Sequence, residues 1–187
     1  FPVIVAAFDR YRNGQPLLAP RADLGHAANY LYMLRGEVPP RNHVQSLDTY
    51  LVLLADHGMN ASTFTARVIA STESDLGSCL VGGIGALKGP LHGGAPSLVM
   101  DMLDEIGTVD NIQPWVNSAL DGHKKLMGFG HRVYKTTDPR AEILREMARQ
   151  AAPPEFFALA RGTEEYAQSE LRRRKPDQRL YTNVEFY

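Results

Sequence analysis

The stretch Leu47-Asp48-Thr49-Tyr50-Leu51-Val52-Leu53-Leu54-Ala55 decides the fold class. Leu47, Tyr50, Leu51, Leu54 and Ala55 recur at the i, i+3, i+4, i+7 spacing, which lays an apolar stripe along a helix ending near Asp56. The same period returns in Val99, Met102, Leu103 and Ile106, with Pro96 near the first turn and Gly107 as the expected stop. Asp138-Pro139 reads as an N-cap followed by proline at N1, opening a helix through Ile143, Leu144 and Met147. Asp23 is expected to cap a helix through Leu24, Ala27, Leu31 and Leu34 that Gly36 closes. Asp110 is expected to cap one holding Ile112, Trp115, Val116 and Ala119. Alternating strand patterns are scarce, and no internal repeat is present. The chain is therefore predicted to be all-α with short loops.

The 187 residues are 44% apolar, ample for a buried core, and carry a net charge of −1. That balance gives no overall pull toward nucleic acid or an anionic membrane. The single cysteine, Cys79, excludes an intrachain disulfide and reads as a buried thiol among Leu76, Leu80 and Val81. No apolar run is long enough to span a membrane, and no signal peptide is visible. The opening Phe1-Pro2-Val3-Ile4-Val5-Ala6-Ala7-Phe8 reads as core, and Glu185-Phe186-Tyr187 ends without polar tailing, so both ends suggest a piece of a longer protein. Pro153-Pro154 is the clearest linker-like break, and Arg172-Arg173-Arg174-Lys175 the strongest charge block. The glycines from Gly82 to Gly94 mark a candidate boundary near 85–95, serving as hinge or as close helix packing.

Chemistry concentrates in three glycine-flanked histidines: His57, His92 and His131. Histidine exchanges a proton near neutral pH, and a neighbouring glycine lets a ligand approach the backbone. His57 precedes Asn60-Ala61-Ser62-Thr63, an N-cap cluster whose free N–H groups welcome an anion; a hydrogen-bonded turn is the plain alternative. His92, between Gly89-Pro90 and Gly93-Gly94, precedes the helix near Pro96, where a neutral imidazole can donate to a carbonyl oxygen as it gains charge. A glycine-rich turn with a packed ring is its alternative. His131 with Arg132 and Arg140 offers a cradle for a small carboxylate, though Arg140 taken alone reads as a surface arginine. His26, His43 and His123 read as helix-surface or core residues. Ser62 and Thr63 lack a nucleophile elbow and read as helix caps. No metal-ligand pair such as HExxH occurs, and no metal is expected. The basic run 172–175 is a solvated helix face or a phosphate contact.

Four motifs in order resemble the citrate synthase family: Ala55-Asp56-His57-Gly58-Met59-Asn60-Ala61-Ser62-Thr63, then Gly85-Ala86-Leu87-Lys88-Gly89-Pro90-Leu91-His92-Gly93-Gly94-Ala95, then the stretch Met127 to Arg140, then Tyr181-Thr182-Asn183-Val184-Glu185-Phe186-Tyr187. The segment Leu24 to Gly36 is similar to the family's bacterial branch. The resemblance covers nearly the whole chain and implies the central portion of such an enzyme, an all-α two-domain helical fold incomplete at both ends. Residues 1–90 would belong to a large helical domain and 91–187 to a small one.

The resemblance further implies an acyltransferase of the tricarboxylic acid cycle that condenses oxaloacetate with acetyl-CoA and water to citrate and CoA. It implies a homodimer, cytoplasmic or in the mitochondrial matrix, with acetyl-CoA as co-substrate, no permanently bound cofactor and no metal. Glu185 stands where the family usually has an aspartate base, one methylene shorter. By the same resemblance His92 would donate to the thioester oxygen and His131 would polarise the oxaloacetate carbonyl. His57 and Arg140 would hold oxaloacetate. Leu126, Met127, Gly128, Phe129 and Gly130 would offer backbone groups to the CoA adenine. Lys135 would meet a CoA phosphate, and Arg179 and the basic run are further candidates. The family supplies additional oxaloacetate-binding arginines from beyond the last motif. A 2-methylcitrate synthase using propionyl-CoA has the same motifs, since one methylene is discriminated by only about 1–3 kcal/mol. A non-catalytic CoA- or dicarboxylate-binding relative is the alternative from another class.

Overall fold

The computed structural model describes residues 1–56, 58–89, 92–93, 95–130, 136–178 and 180–187, with the backbone alone for Ala95 and Pro96. Their regular structure is helical: α1 (Pro2–Arg12), α2 (His26–Arg35), α3 (Arg41–Leu53), α4 (Ala61–Ala70), α5 (Leu76–Leu87), α6 (Ala95–Ile106), α7 (Ile112–Asp121), α8 (Pro139–Ala151) and α9 (Pro154–Arg174). An isolated antiparallel bridge, Phe129 with Thr182, is the nearest approach to a strand among the described residues. The expected all-α class is what forms. No helix of the described residues is long and apolar enough to cross a membrane.

The chain divides into two compact units, one of Phe1–Ala55 with Glu146–Ala151, the other of Asp56–Arg145 with Ala152–Tyr187. In the first, α1 packs on α2 and α2 on α3. Arg10 is buried and ties the α1–α2 connection, donating from Nε to Pro16 O at 2.6 Å and from Nη1 to Leu34 O at 3.0 Å. Asn42 of α3 donates to Gln150 O at 2.8 Å, joining the end of α8 to this unit. The opening segment read as core forms α1, yet Phe1, Ile4 and Phe8 are exposed and only Ala6 and Arg10 are buried. Likewise α3 forms on its predicted period, but none of its residues is fully buried.

The second unit holds the main core. Val99, Met102, Leu103 and Ile106 of α6 meet Ile112 and Val116 of α7 and Leu159, Ala160, Ala167 and Leu171 of α9. Leu103 at 2% exposure, Ile106 at 0% and Val116 at 0% each contribute about 1.5–3 kcal/mol by leaving water. α4 and α5 pack along each other. A Cβ on Gly82 would lie 2.2 Å from Ile69 Cδ1, so Gly82 serves the close packing of α5 on α4. Cys79, on the same helix, is buried as expected.

Local signals set several helix ends. The Asn60 side chain accepts from Thr63 N–H at 2.9 Å, and Asp138 Oδ1 accepts from Arg140 N–H at 3.0 Å at the start of α8. Gly36 closes α2 and Gly107 follows α6, both as predicted. Two expected caps are not used. Asp23 pairs with Arg21 at 2.6 Å instead, and Asn29 reaches back from α2 to hold that turn through Arg21 O and Leu24 O. Asp110 lies within a 3-10 turn, Val109–Asn111, so α7 continues from that turn without a side-chain cap. The break expected at Pro153-Pro154 falls where the chain passes from the first unit to the second, between 151 and 152; Pro154 is the first residue of α9, with Ala152 and Pro153 between it and the end of α8.

Candidate active site

The glycine loop and the last motif are clipped together. Gly130 N–H donates to Tyr181 O at 2.7 Å and Asn183 N–H donates to Gly128 O at 2.9 Å, flanking the Phe129–Thr182 bridge. Asn183 adds Nδ2 to Gly130 O at 2.9 Å, and its Oδ1 accepts from Glu185 N–H at 2.9 Å. Phe129 and Phe186 meet edge to face, with ring centroids 5.3 Å apart. A Cβ at Gly128 would fall 2.9 Å from Phe186 Cβ, and its φ of +77° lies in the left-handed region, so both contact and conformation require glycine. The clip uses Gly128 and Gly130. Leu126, Met127 and Phe129 make no backbone hydrogen bond to a described residue.

Glu185 rides on this clip. It is half-buried, and its carboxylate makes no hydrogen bond or ion pair among the described residues. The residues on either side are held firmly: Thr182 and Tyr187 both donate to Glu164, at 2.6 and 2.5 Å. Glu164 is fully buried on α9 and also receives a two-pronged grip from Arg145 at 2.6 and 3.0 Å. Burial opposes its charged form, but the hydrogen bonds from Thr182, Tyr187 and Arg145 outweigh that and hold the carboxyl below the usual glutamate range. Burial, and then the same contact, push the Tyr187 phenol up.

His92 precedes α6 in the chain, as expected, and its ring meets the start of α4. Its Nε2 accepts from Ser62 N–H at 3.3 Å and lies 3.0 Å from Ser62 Oγ. Ser62 Oγ also contacts Asn60 Oδ1 at 2.7 Å, so Ser62 orients the ring as well as serving the helix start. A neutral ring accepting at Nε2 keeps its proton on Nδ1. Arg140 makes a two-pronged pair with the fully buried Asp138, Nη2 to Oδ2 at 2.8 Å and Nε to Oδ1 at 3.1 Å. Of the other sequence-predicted site residues, His57, His131 and Lys135, together with Arg179, lie outside the described residues. No hydrogen bond links His92 to Glu185 among the described residues.

Beside the loop opens a cavity of about 610 Å³ with Leu126 and Phe129 in its wall and Lys124, Lys125, Arg174 and Lys175 around it. Arg174 is committed to Asp121 and Glu170, and Lys124 to Glu105 at 2.8 Å. Lys125 and Lys175 make no ion pair with a described residue. His123, read from sequence as a helix or core residue, stands in the turn after α7 at the edge of this cavity, with φ of +55°. Sequence reasoning missed Lys124, Lys125, Ser62, Asn183 and Glu164. Asn183 lies within the last motif without a role read for it, and Glu164 gave no signal.

The chain matches the family model "Citrate synthase, C-terminal domain" over residues 1–187. It is 50% identical to a citrate synthase of Deinococcus radiodurans, over all of this chain and 50% of that protein. Among solved structures, citrate synthase of Thermotoga maritima superposes with a TM-score of 0.83 at 45% identity, over all of this chain and 50% of that one. Citrate synthase of Thermoplasma acidophilum, determined as a ternary complex with carboxymethyl coenzyme A and oxaloacetate, gives 0.87 at 31% identity, over all of this chain and 49% of that one. The chain belongs to the citrate synthase family, and spans about half the length of the curated relatives it matches.

Proposed function

We propose that the protein carrying this chain is a citrate synthase. The observation that carries the reading is Glu185, a carboxylate without a partner among the described residues, held on a strap that is clipped to a glycine loop. In the proposed reaction Glu185 takes a proton from the acetyl methyl of acetyl-CoA. The C–H electron pair moves toward the thioester carbonyl, and its oxygen gains charge. His92, with its proton on Nδ1, donates a hydrogen bond to that oxygen. The enol carbon then attacks the oxaloacetate ketone, which His131 polarises while His57 and Arg140 hold the carboxylates. Water cleaves the citryl thioester, releasing citrate and CoA.

The cavity beside Leu126 and Phe129 suits the nucleotide end of CoA: the loop offers backbone groups for the adenine, and Lys125 and Lys175 offer charge for phosphates. Lys135 joins them on the strength of the resemblance. Residues 1–90 are assigned to a large domain and 91–187 to a small one. A homodimer is supported by the apolar face of the α4–α5 pair, where Phe64, Leu76, Val81 and Ile84 are exposed. The relatives are bacterial and archaeal, which fits a cytoplasmic enzyme.

The test is CoA thiol release by the full-length protein given oxaloacetate with acetyl-CoA and, in parallel, propionyl-CoA. Release with acetyl-CoA preferred, abolished by Glu185→Gln and by His92→Ala, is expected. Release with propionyl-CoA preferred would make the protein a 2-methylcitrate synthase. Silence with both, and no solvent exchange of the acetyl methyl protons, would refute catalysis.

A further inference from the structure

Glu164 takes no part in the chemistry above, yet its carboxylate is the most heavily bonded acid among the described residues. Oε1 accepts from Arg145 Nη2 at 2.6 Å and from the Thr182 hydroxyl at 2.6 Å. Oε2 accepts from Arg145 Nε at 3.0 Å, Arg161 Nη1 at 2.6 Å and the Tyr187 hydroxyl at 2.5 Å. Thr182 lies three residues before Glu185 and Tyr187 two after it. The hydroxyls flanking Glu185 therefore each bind a different oxygen of one carboxylate. Arg145 also lies over the Tyr187 ring, 5.4 Å from its centroid.

A buried ionic cluster is a poor way to stabilise a fold, because well-packed apolar side chains of similar volume often do as well or better. It supplies register. Charge-assisted hydrogen bonds are short and directional, so they hold the segment against sliding along its own axis. Glu185 needs such help, since its carboxylate has no partner among the described residues and only its backbone fixes it.

We propose that Glu164 is a positioning residue for Glu185: by holding Thr182 and Tyr187 on a carboxylate fixed by Arg145 and Arg161, it sets where the Glu185 carboxylate stands. The proposal rests on the reading of Glu185 as the base. Arginine has no acceptor to offer, so Glu164→Gln sets an NH2 group against donors and breaks the cage with little change of shape. A base displaced by about an ångström costs about a hundredfold in rate.

The full-length protein and its Glu164→Gln, Thr182→Val, Tyr187→Phe and Glu185→Gln variants would be compared by three readouts. These are solvent exchange of acetyl methyl protons, the oxaloacetate dissociation constant, and amide hydrogen exchange across 181–187. Glu164→Gln should lower methyl exchange about ten- to hundredfold, and Tyr187→Phe or Thr182→Val by several-fold, while oxaloacetate affinity stays within about twofold. In the Glu185→Gln background, Glu164→Gln should add no further loss, because it acts through the base already removed. Faster exchange of the Asn183 and Glu185 amides should accompany the kinetic loss.

Wild-type methyl exchange in both Glu164→Gln and Tyr187→Phe would overturn the proposal. So would oxaloacetate affinity falling in step with the rate, which would make the cluster merely structural. Should Glu164→Gln not fold, Tyr187→Phe and Thr182→Val decide, since each removes one tie and leaves the buried charge paired. If the unaltered protein exchanges no methyl protons, the base reading fails by itself. The amides then decide the clamp, and unchanged protection at 183 and 185 in Tyr187→Phe would overturn it.

Discussion

Gly128→Ala adds one methyl where the glycine loop meets the strap. The new Cβ would lie 2.9 Å from both Cβ and Cδ2 of Phe186 and 3.1 Å from its Cα, distances that require something to move. Phe186 cannot simply rotate away. It is buried, and its ring meets Phe129 at 5.3 Å and Tyr187 at 5.0 Å. The backbone must yield, and Glu185 is the residue before it. Two penalties add: the φ of +77° costs an L-residue about 1–2 kcal/mol, and overpacking about 1–3 kcal/mol. Gly107→Ala is the matched control in the same unit. Its φ of +72° carries the same conformational penalty, but the nearest atom to its Cβ is Asp104 O at an ordinary 3.7 Å. Urea unfolding of the two variants isolates the contact. An excess loss of about 1–3 kcal/mol for Gly128→Ala corresponds to a midpoint lower by on the order of 1 M. Methyl proton exchange should fall in Gly128→Ala and not in Gly107→Ala. Equal stability losses in the two variants would refute the rigid contact between loop and strap.

Two further expectations concern charge. Glu164 is held below its ordinary value of 4.5, so the unfolded chain takes up a proton first as pH falls. Stability is then present above pH 4.5 and lost progressively below it, and denaturation curves of Glu164→Gln should lack this part of the acid slope. Tyr187 is raised above 10.0, so the unfolded phenol ionises first and stability is lost as pH rises past 10; Tyr187→Phe should flatten that limb, and an unchanged limb would place the tyrosine outside the cluster. Reversing Lys125 and Lys175 to glutamate should weaken CoA binding about tenfold and reduce its salt dependence. Calorimetry at two ionic strengths measures both, and unchanged affinity would remove the cavity from CoA recognition.

What the sequence by itself determined is local. Asp138-Pro139 opens α8, Asn60 caps α4, and Gly36 and Gly107 close α2 and α6, because each depends on chemistry within a turn of the chain. The apolar period was legible too, and with it the helical class. Where two local signals competed, sequence reasoning misjudged. Asp23 found Arg21 nearer than the helix it was expected to cap, and Asp110 fell inside a 3-10 turn. The motifs identified Glu185, His92 and Arg140 as candidates, but not how each is held.

Only the tertiary structure decided that. The His92 ring meets the start of α4, where Ser62 lies thirty residues back in the chain. Gly128 is required because Phe186 stands against it, 58 residues on. Glu164 looks like any acid on a charged helix until Arg145, Thr182 and Tyr187 close around it. The physical reason is common to all three: backbone conformation is set by neighbours in sequence, whereas burial and electrostatic environment are set by neighbours in space, and those exist only once the helices have packed.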